Sequence, residues 1–248
     1  MRISDRALAL RRVPFRDASW IVTLLTPEHG VIAAMARDAR SGGRDGMRAA
    51  LTGFHGLEIE TRSRGSEALG TLMRAEIILP RNRLPFLPEA SAAGQLLIEA
   101  VHRFEMPNDA RNGEIHYCLE GALNALEFGA EPLAVAAGSI SRLLGLFGHG
   151  WRAGNCVGCG ARTRLRFVSV KRGGAVCEAC GAPYADRLPE AGGALLEAMA
   201  DRSWPPRMSG LSRAELAVFY QLSMAALNRV GTRPMSADGM FRRLARVG

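Results

Sequence analysis

Apolar residues recur in short runs along the N-terminal third of the chain, and turn-forming residues separate the runs. The segment 56–62 shows the pattern most clearly, because Leu57, Ile59 and Thr61 alternate with charged residues. Such alternation is typical of a strand with one buried face. The runs predict five short strands, over residues 7–11, 20–25, 31–37, 51–62 and 70–79. Five strands of this kind favour a small β-barrel of the OB-fold type.

After Pro88 the apolar residues recur at helical spacing. Stripes through residues 97–104, 119–126 and 133–147 predict three helices that pack into a core. Two further helices are predicted around residues 191–201 and after Ser212, which forms a capping-box pattern with Glu215. The sequence therefore predicts an α+β protein. We expect an OB-fold β-barrel domain over residues 1–82 and a helical bundle domain over residues 83–248.

Four cysteines interrupt the helical pattern with the spacing C-x2-C-x17-C-x2-C: Cys156, Cys159, Cys177 and Cys180. Two such pairs can place four thiolates around a tetrahedral Zn²⁺ ion, and four cysteine ligands leave no open position for catalysis. We therefore predict one structural zinc per chain, in an inserted zinc-ribbon module at about residues 151–186. Two disulfides or two redox dithiols are the alternatives. The fifth cysteine, Cys118, is interpreted as a small buried apolar residue.

The residues that would mark a common catalytic site are missing from the sequence. The only lysine, Lys171, follows Val170 rather than a glycine-rich phosphate loop, and no G-x-S-x-G or H-E-x-x-H motif is present. Nothing near the cysteines supplies a base for a zinc-bound water. We interpret the chain as a binding protein and not as an enzyme.

The formal net charge of +8 is unevenly distributed along the chain. Residues 1–50 carry nine basic and five acidic side chains, a net charge of +4, and residues 142–187 carry eight and two, a net charge of +6. Residues 51–141 carry seven and twelve, a net charge of −5. Nearly all the basic residues are arginine, whose planar guanidinium suits phosphate groups. The pattern is typical of nucleic-acid binding, and equally of an arginine-rich solvated surface.

The sequence also indicates a compartment. Arg2, Asp5 and Arg6 interrupt the first residues before an apolar run of the kind found in secretion signals can develop. The longest apolar stretch, residues 133–147, contains Arg142 and is too short to span a bilayer. Because the cysteines are interpreted as reduced thiols, we expect a cytoplasmic protein without membrane contact.

Five short motifs in chain order carry a resemblance to a known family. They are TLLTPEHG at 23–30, ARDAR at 36–40, LTGF at 51–54, LGTL at 69–72 and RLLGLFG at 142–148, followed by the cysteines. Together with the barrel, the bundle and the inserted cysteine module, they resemble the bacterial RecO family of recombination mediators. The likeness covers residues 1–186, and beyond them only the helical character agrees.

The resemblance implies a nucleoid-associated protein that binds single- and double-stranded DNA and anneals complementary strands. It also implies association with RecR, and help to RecA in displacing single-strand-binding protein by capture of that protein's acidic C-terminal tail. DNA contact is expected through Arg37, Arg40, Arg44 and Arg48, and contact with the tail through Arg142. A solvated or helix-capping role for Arg142 remains open. Asp38 stands where the family has glycine, and its charge should weaken phosphate binding.

Rival interpretations come from other classes of protein. A zinc-ribbon transcription or RNA-binding factor would show sequence preference, whereas a mediator binds unrelated strands alike. A thiol-redox enzyme would use the C-x-x-C pairs, although no thioredoxin-like βαβ pattern precedes them. A structural adaptor would not contact DNA. If the N-terminal arginines do not bind DNA, the second candidate is the basic cluster of the module: Arg162, Arg164, Arg166, Lys171 and Arg172.

Overall fold

The computed structural model describes residues 2–40, 46–63, 69–104, 111–181, 186–187, 192–201, 203, 208, 210–231 and 235–247. The fold is mixed α+β, as the sequence predicts. A closed barrel comes first, and a bundle of helices follows it. A small three-stranded sheet that carries the cysteines lies between two of these helices along the chain.

The barrel has the five strands that the apolar runs predict. They are β1 (Arg2–Phe15), β2 (Ser19–Thr26), β3 (Gly30–Ala36), β4 (Gly56–Arg62) and β5 (Gly70–Leu79). Their order around the barrel is β1-β2-β3-β5-β4, and only the β3–β5 pair is parallel. One half of β1 pairs with β4 and the other half pairs with β2. A register shift between Ala9 and Arg11 lets this long strand bend from one neighbour to the other.

A short helix, α1 (Met47–Thr52), packs against the barrel and corrects one sequence prediction. Residues 51–55 were expected to begin the fourth strand, but α1 ends at Thr52 and β4 begins at Gly56. Met47, Ala50 and Leu51 are buried, and their spacing of three and four residues is the helical period. Residues 51–55 resemble the beginning of the fourth strand only when this helical period is overlooked.

The helical part is built from α2 (Pro88–Arg103), α3 (Asn112–Glu127), α4 (Pro132–Leu146), α6 (Gly192–Ala200), α7 (Arg213–Val230) and α8 (Ser236–Ala245). The three predicted stripes are buried, and α4 packs against α2, α3 and α7. The predicted capping box of α7 forms, with Ser212 and Glu215 bonded in both directions. Helix α8 was not predicted, and its Phe241 is fully buried against Tyr220.

The cysteine-containing sheet is formed by β6 (Leu165–Ser169), β7 (Gly174–Cys177) and β8 (Asp186–Arg187), with a single helical turn, α5 (Glu178–Gly181), after β7. Trp151, Ala153 and Val168 are buried in the same apolar cluster as the helices. The sheet is therefore anchored to the bundle on one side. The predicted insertion of a module into the helical region agrees with this arrangement.

Arg81 joins the barrel to the bundle from a fully buried position. Its guanidinium donates to the carbonyl oxygens of Phe54 and Glu120, and Nε donates to Asn124 Oδ1 at 2.8 Å. Burial lowers the pKa of Arg81 to about 10, and Glu120 and Glu127 oppose that shift. The side chain is therefore a cation at neutral pH, and its charge is balanced by acceptors on both parts.

Two carboxylates of α3 complete this junction. Glu120 accepts from the guanidinium of Arg6 in β1 at 2.8 Å through both of its oxygens. Glu127 accepts from the backbone N–H groups of Arg83 and Leu84, the latter at 2.7 Å. Phe54 belongs to the apolar cluster shared with the helices and is 6% exposed.

We predict that Arg81→Met lowers the free energy of unfolding by about 3–5 kcal/mol, because two carbonyls and an amide would stay buried without their donor. Chemical denaturation followed by circular dichroism measures the change. Arg83→Met is the matched control, since its side chain is exposed and only its backbone is bonded at the junction. Equal stability of the Arg81→Met and Arg83→Met proteins would contradict the role given to Arg81.

Candidate nucleic-acid interface and metal site

The first pair of cysteines lies on a turn that curls back on itself. The Gly160 N–H donates to the Cys156 carbonyl at 2.9 Å, and the Gly158 N–H donates to Cys156 Sγ at 3.3 Å. Gly160 adopts a φ of 82°, a conformation that favours glycine. The turn that carries the first pair therefore depends on the glycine that follows it.

The second pair is positioned differently. Cys177 ends β7, and Cys180 lies on α5 one helical turn later. Gly181 has no left-handed conformation here. Its lack of a side chain matters because a Cβ atom at this position would overlap with the ring of Phe167. The glycine after the second pair therefore serves packing within the module rather than a left-handed turn.

The four cysteine sulfurs form one cluster. All lie within 4.8 Å of one another, and Cys159 Sγ is 3.6 Å from Cys177 Sγ. Ligands at the usual Zn–S distance of about 2.3 Å in a tetrahedron are about 3.8 Å apart, which agrees with this spacing. A disulfide would need about 2.05 Å, and all four are free thiols. The residues present therefore fit a metal ion with four thiolate ligands, as in a structural zinc site.

The environment of the cluster favours the thiolate form at Cys156, whereas hydrogen bonds with the Cys159 and Cys177 thiols raise the pKa of Cys180 to about 12. Burial acts to raise the pKa of the Cys156 thiol, but surrounding backbone N–H groups, including those of Gly158 and Cys159, lower it to about 6. Thiolate is the form that binds metal, so the backbone prepares this ligand at neutral pH. The apolar core around the sulfurs is small, with Val176 as its buried aliphatic residue.

The predicted DNA-contacting residues lie at one end of the barrel, except Arg44, which lies outside the described residues. Arg37, Arg40 and Arg48 are exposed. Arg40 Nη1 donates to the Arg16 carbonyl at 3.1 Å, and Arg48 Nη1 donates to the Arg40 carbonyl at 3.2 Å. The structure therefore brings the loop after β3, helix α1 and the β1–β2 turn together.

Sequence reasoning missed two arginines at the same end of the barrel. The guanidinium carbon of Arg12 lies 5.8 Å from the centre of the Trp20 ring, and that of Arg16 lies 5.2 Å from the centre of the Phe15 ring. Both are cation–π distances. Arg12 and Arg16 follow the apolar part of β1 and lie beyond the end of the predicted first strand. The sequence pattern indicates that the strand ends there, whereas in the structure it continues into a hairpin with β2. We call Arg12, Arg16, Arg37, Arg40 and Arg48 the barrel cluster.

Asp38 lies among the arginines of the barrel cluster, and its backbone conformation explains why glycine is expected at this position. Its φ is 56°, in the left-handed region where glycine is favoured and aspartate is tolerated. This backbone conformation accounts for the glycine that the sequence comparison led us to expect at the position. The Asp38 N–H donates to the Ser19 hydroxyl at 3.4 Å, which links the loop after β3 to the start of β2.

Arg142 lies on α4, away from the barrel cluster. Its guanidinium donates to Glu114 Oε2 of α3 at 2.7 Å, and its side chain is 20% exposed. The same side chain borders a narrow cleft with Trp151 and Met199. The predicted tail-binding arginine therefore lies next to apolar groups, but it is already paired with a carboxylate.

We predict that Cys177→Ser reduces the zinc content from about one ion per chain to well below one, because serine is a poor zinc ligand. The melting temperature should fall by several degrees, since about 1 kcal/mol corresponds to roughly 2–4 °C in a domain of this size. Metal analysis and thermal denaturation measure the two effects. Cys118→Ala is the control for the zinc content, because Cys118 lies in α3, outside the sulfur cluster. A Cys177→Ser protein with unchanged melting temperature would contradict a structural site.

Among the described residues, no helix is long and apolar enough to cross a membrane.

Comparison with known proteins identifies the family. Residues 1–81 match the family model described as Recombination protein O N terminal, and residues 87–238 match Recombination protein O C terminal. DNA repair protein RecO of Streptomyces avermitilis is 31% identical over 185 residues, which cover 72% of this chain and 74% of that protein. DNA repair protein RecO of Sinorhizobium medicae is 27% identical over 247 residues, which cover 98% and 92%. This chain belongs to the RecO family of DNA repair proteins.

Proposed function

We propose that this protein is a non-enzymatic recombination mediator that binds DNA through the barrel cluster. Membership of the RecO family gives it a role in DNA repair and recombination. The observation that carries the proposal is the convergence of arginines from three separate segments at one end of the barrel. Arg44, in the same loop, extends this set in the sequence. Concentrated positive charge of this kind attracts the phosphate backbone of either single or double strands.

The aromatic residues of the barrel cluster support phosphate binding over base stacking. Trp20 and Phe15 each have a guanidinium over the ring, so a base would have to displace Arg12 or Arg16 before it could stack. Sequence-independent binding through phosphates is therefore the mode that these contacts favour. Such binding suits a protein that anneals strands of any sequence. Asp38 contributes one opposing charge and should moderate the affinity.

We further propose the partners that the family resemblance implies. These are RecR and single-strand-binding protein, whose displacement would help RecA to load on the coated strand. Arg142 is the candidate for the acidic tail of single-strand-binding protein, because Trp151 and Met199 lie beside its guanidinium. The cleft that they share has a volume of only about 10 Å³, so it would have to widen for an apolar chain end. The tail carboxylate would then replace Glu114 as the partner of Arg142.

Zinc has a structural role in this proposal, with one ion per chain held by Cys156, Cys159, Cys177 and Cys180. The ion would close the cysteine turns around a core too small to fold alone, and no chemical step depends on it. We also propose a cytoplasmic, nucleoid-associated location, since the proposed ligand is chromosomal DNA.

Salt dependence tests the DNA site. Neutralisation of about four phosphates gives a slope of roughly −3 to −4 in a plot of log affinity against log salt, because each contact contributes about 0.7–0.9 to the magnitude of the slope. We expect Arg37→Ala with Arg40→Ala to reduce the magnitude of this slope by about one per lost contact, uniformly across unrelated sequences. Fluorescence anisotropy with a labelled oligonucleotide, repeated at several salt concentrations, measures it.

The control for this pair is Arg83→Ala with Arg243→Ala, which removes two exposed arginines far from the barrel cluster in sequence. The control protein should keep the parental slope. If the Arg37→Ala, Arg40→Ala protein keeps the parental slope, the DNA site lies elsewhere. A strong preference for one DNA sequence would instead favour a zinc-ribbon transcription or RNA-binding factor.

A further inference from the structure

A second basic surface lies between the cysteine module and the helices. Three segments form a cleft of about 530 Å³: residues 148–152 after α4, the β6–β7 turn at 170–173, and the last turn of α7. The cleft shares no lining residue with the barrel cluster. Its volume is within the range of about 300–1,000 Å³ that is typical of ligand sites.

Four cationic side chains line the cleft and are exposed: Arg152, Lys171, Arg172 and Arg229. None of the four pairs with a carboxylate of a described residue, and no described residue that lines the cleft is acidic. The backbone holds the walls in register, since the Arg152 N–H donates to the Gly173 carbonyl at 2.9 Å. The Arg152 guanidinium donates to the Arg172 backbone carbonyl at 2.9 Å, which holds the Arg152 charge beside the β6–β7 turn.

Helix dipoles do not neutralise this charge. The C-termini of α4 and α7 border the cleft. The end of α2 lies nearby, because Arg103 Nη1 donates to Asn228 at 3.1 Å and the Phe104 and Phe147 rings stack at 4.0 Å. Each helix C-terminus carries about −0.5 charge, so three contribute about −1.5 against four full positive charges. The four-thiolate zinc site proposed beside Arg172 would add a charge of −2, so the cleft keeps a small positive charge of about +0.5, which suits an anion.

Trp151 has an unpaired polar atom near the cleft. Its side chain is 4% exposed and borders the cleft, yet Nε1 has no hydrogen-bond partner in the described part of the chain. A buried indole N–H normally finds an acceptor, because an unpaired donor costs about 1–3 kcal/mol. The nitrogen has no exposed surface, so the indole would have to turn before an acceptor in the cleft could reach it.

We propose that this cleft binds the phosphodiester backbone of a second DNA strand, while the barrel cluster holds the first. The inference rests on the proposed function and adds a second site to it. Nucleic acid fits better than an acidic peptide, because the cations are distributed over opposite walls and glycines at 148, 150 and 173 let a backbone approach. Two sites on one chain bring two strands together, which annealing requires.

The test counts the strands that each protein binds. Short single strands of about ten nucleotides limit bridging of both sites by one molecule, and two non-complementary strands carry a donor and an acceptor fluorophore. The parent protein should bind two strands and give energy transfer between them. Lys171→Ala with Arg229→Ala should bind one strand and lose the energy transfer. Loss of two phosphate contacts should weaken the affinity of the second site about 25- to 60-fold at 0.1 M salt. Each contact contributes about 0.7–0.9 to the logarithm of the affinity at this salt concentration.

Matched variants separate this inference from the proposed function. Arg37→Ala with Arg40→Ala should also bind one strand, and Arg83→Ala with Arg243→Ala should bind two. Zinc content and melting temperature equal to those of the parent show that the cleft variant is folded. Two strands bound by the cleft variant at parental affinity would overturn the second site but leave the first. Absence of DNA binding by the parent would overturn both.

Discussion

The guanidinium of Arg81 lies where the barrel meets the helices, and the relative position of these two parts depends on it. An arginine removed from water is tolerated only when acceptors surround it. Here they come from both parts, with the Phe54 carbonyl on the barrel side and the Glu120 carbonyl and Asn124 amide on α3. The charge therefore makes one relative orientation of barrel and bundle favourable. Apolar contact, which is non-directional, would specify that orientation less sharply.

The uneven charge of the chain follows from how its carboxylates are used. The acidic central region, residues 51–141, pairs many of its carboxylates with arginines from elsewhere. Glu120 binds Arg6, Glu114 binds Arg142, and Glu131 and Glu89 bind Arg213. These pairs hold distant segments together and remove negative charge from the surfaces where an anion would bind. The positive surplus remains at the end of the barrel and around the cysteine module, where the proposed DNA sites lie.

The cysteine module has a different basis for its stability. Its apolar core is a few residues, and its attachment to the bundle is through Trp151, Ala153 and Val168. A four-thiolate metal site can order such a segment, because metal binding adds directly to its folding free energy. The module places Lys171 and Arg172 opposite Arg229 of α7. The cleft is therefore a product of two elements that are far apart in the sequence, and its shape depends on the module being folded.

Local patterns determined much of this protein from the sequence alone. Alternation along the strands, helical stripes and cysteine spacing are set by neighbouring residues, so the barrel, most of the helices and the cysteine cluster were predictable. The likeness of short motifs indicated the family. Only the tertiary structure decided that Arg81 is buried, that Arg16 joins Arg40 and Arg48, and that a cleft forms beside α7. The sequence by itself does not distinguish an arginine whose guanidinium is buried from one whose guanidinium is paired or exposed. Which of these it becomes depends on packing between residues far apart in the chain.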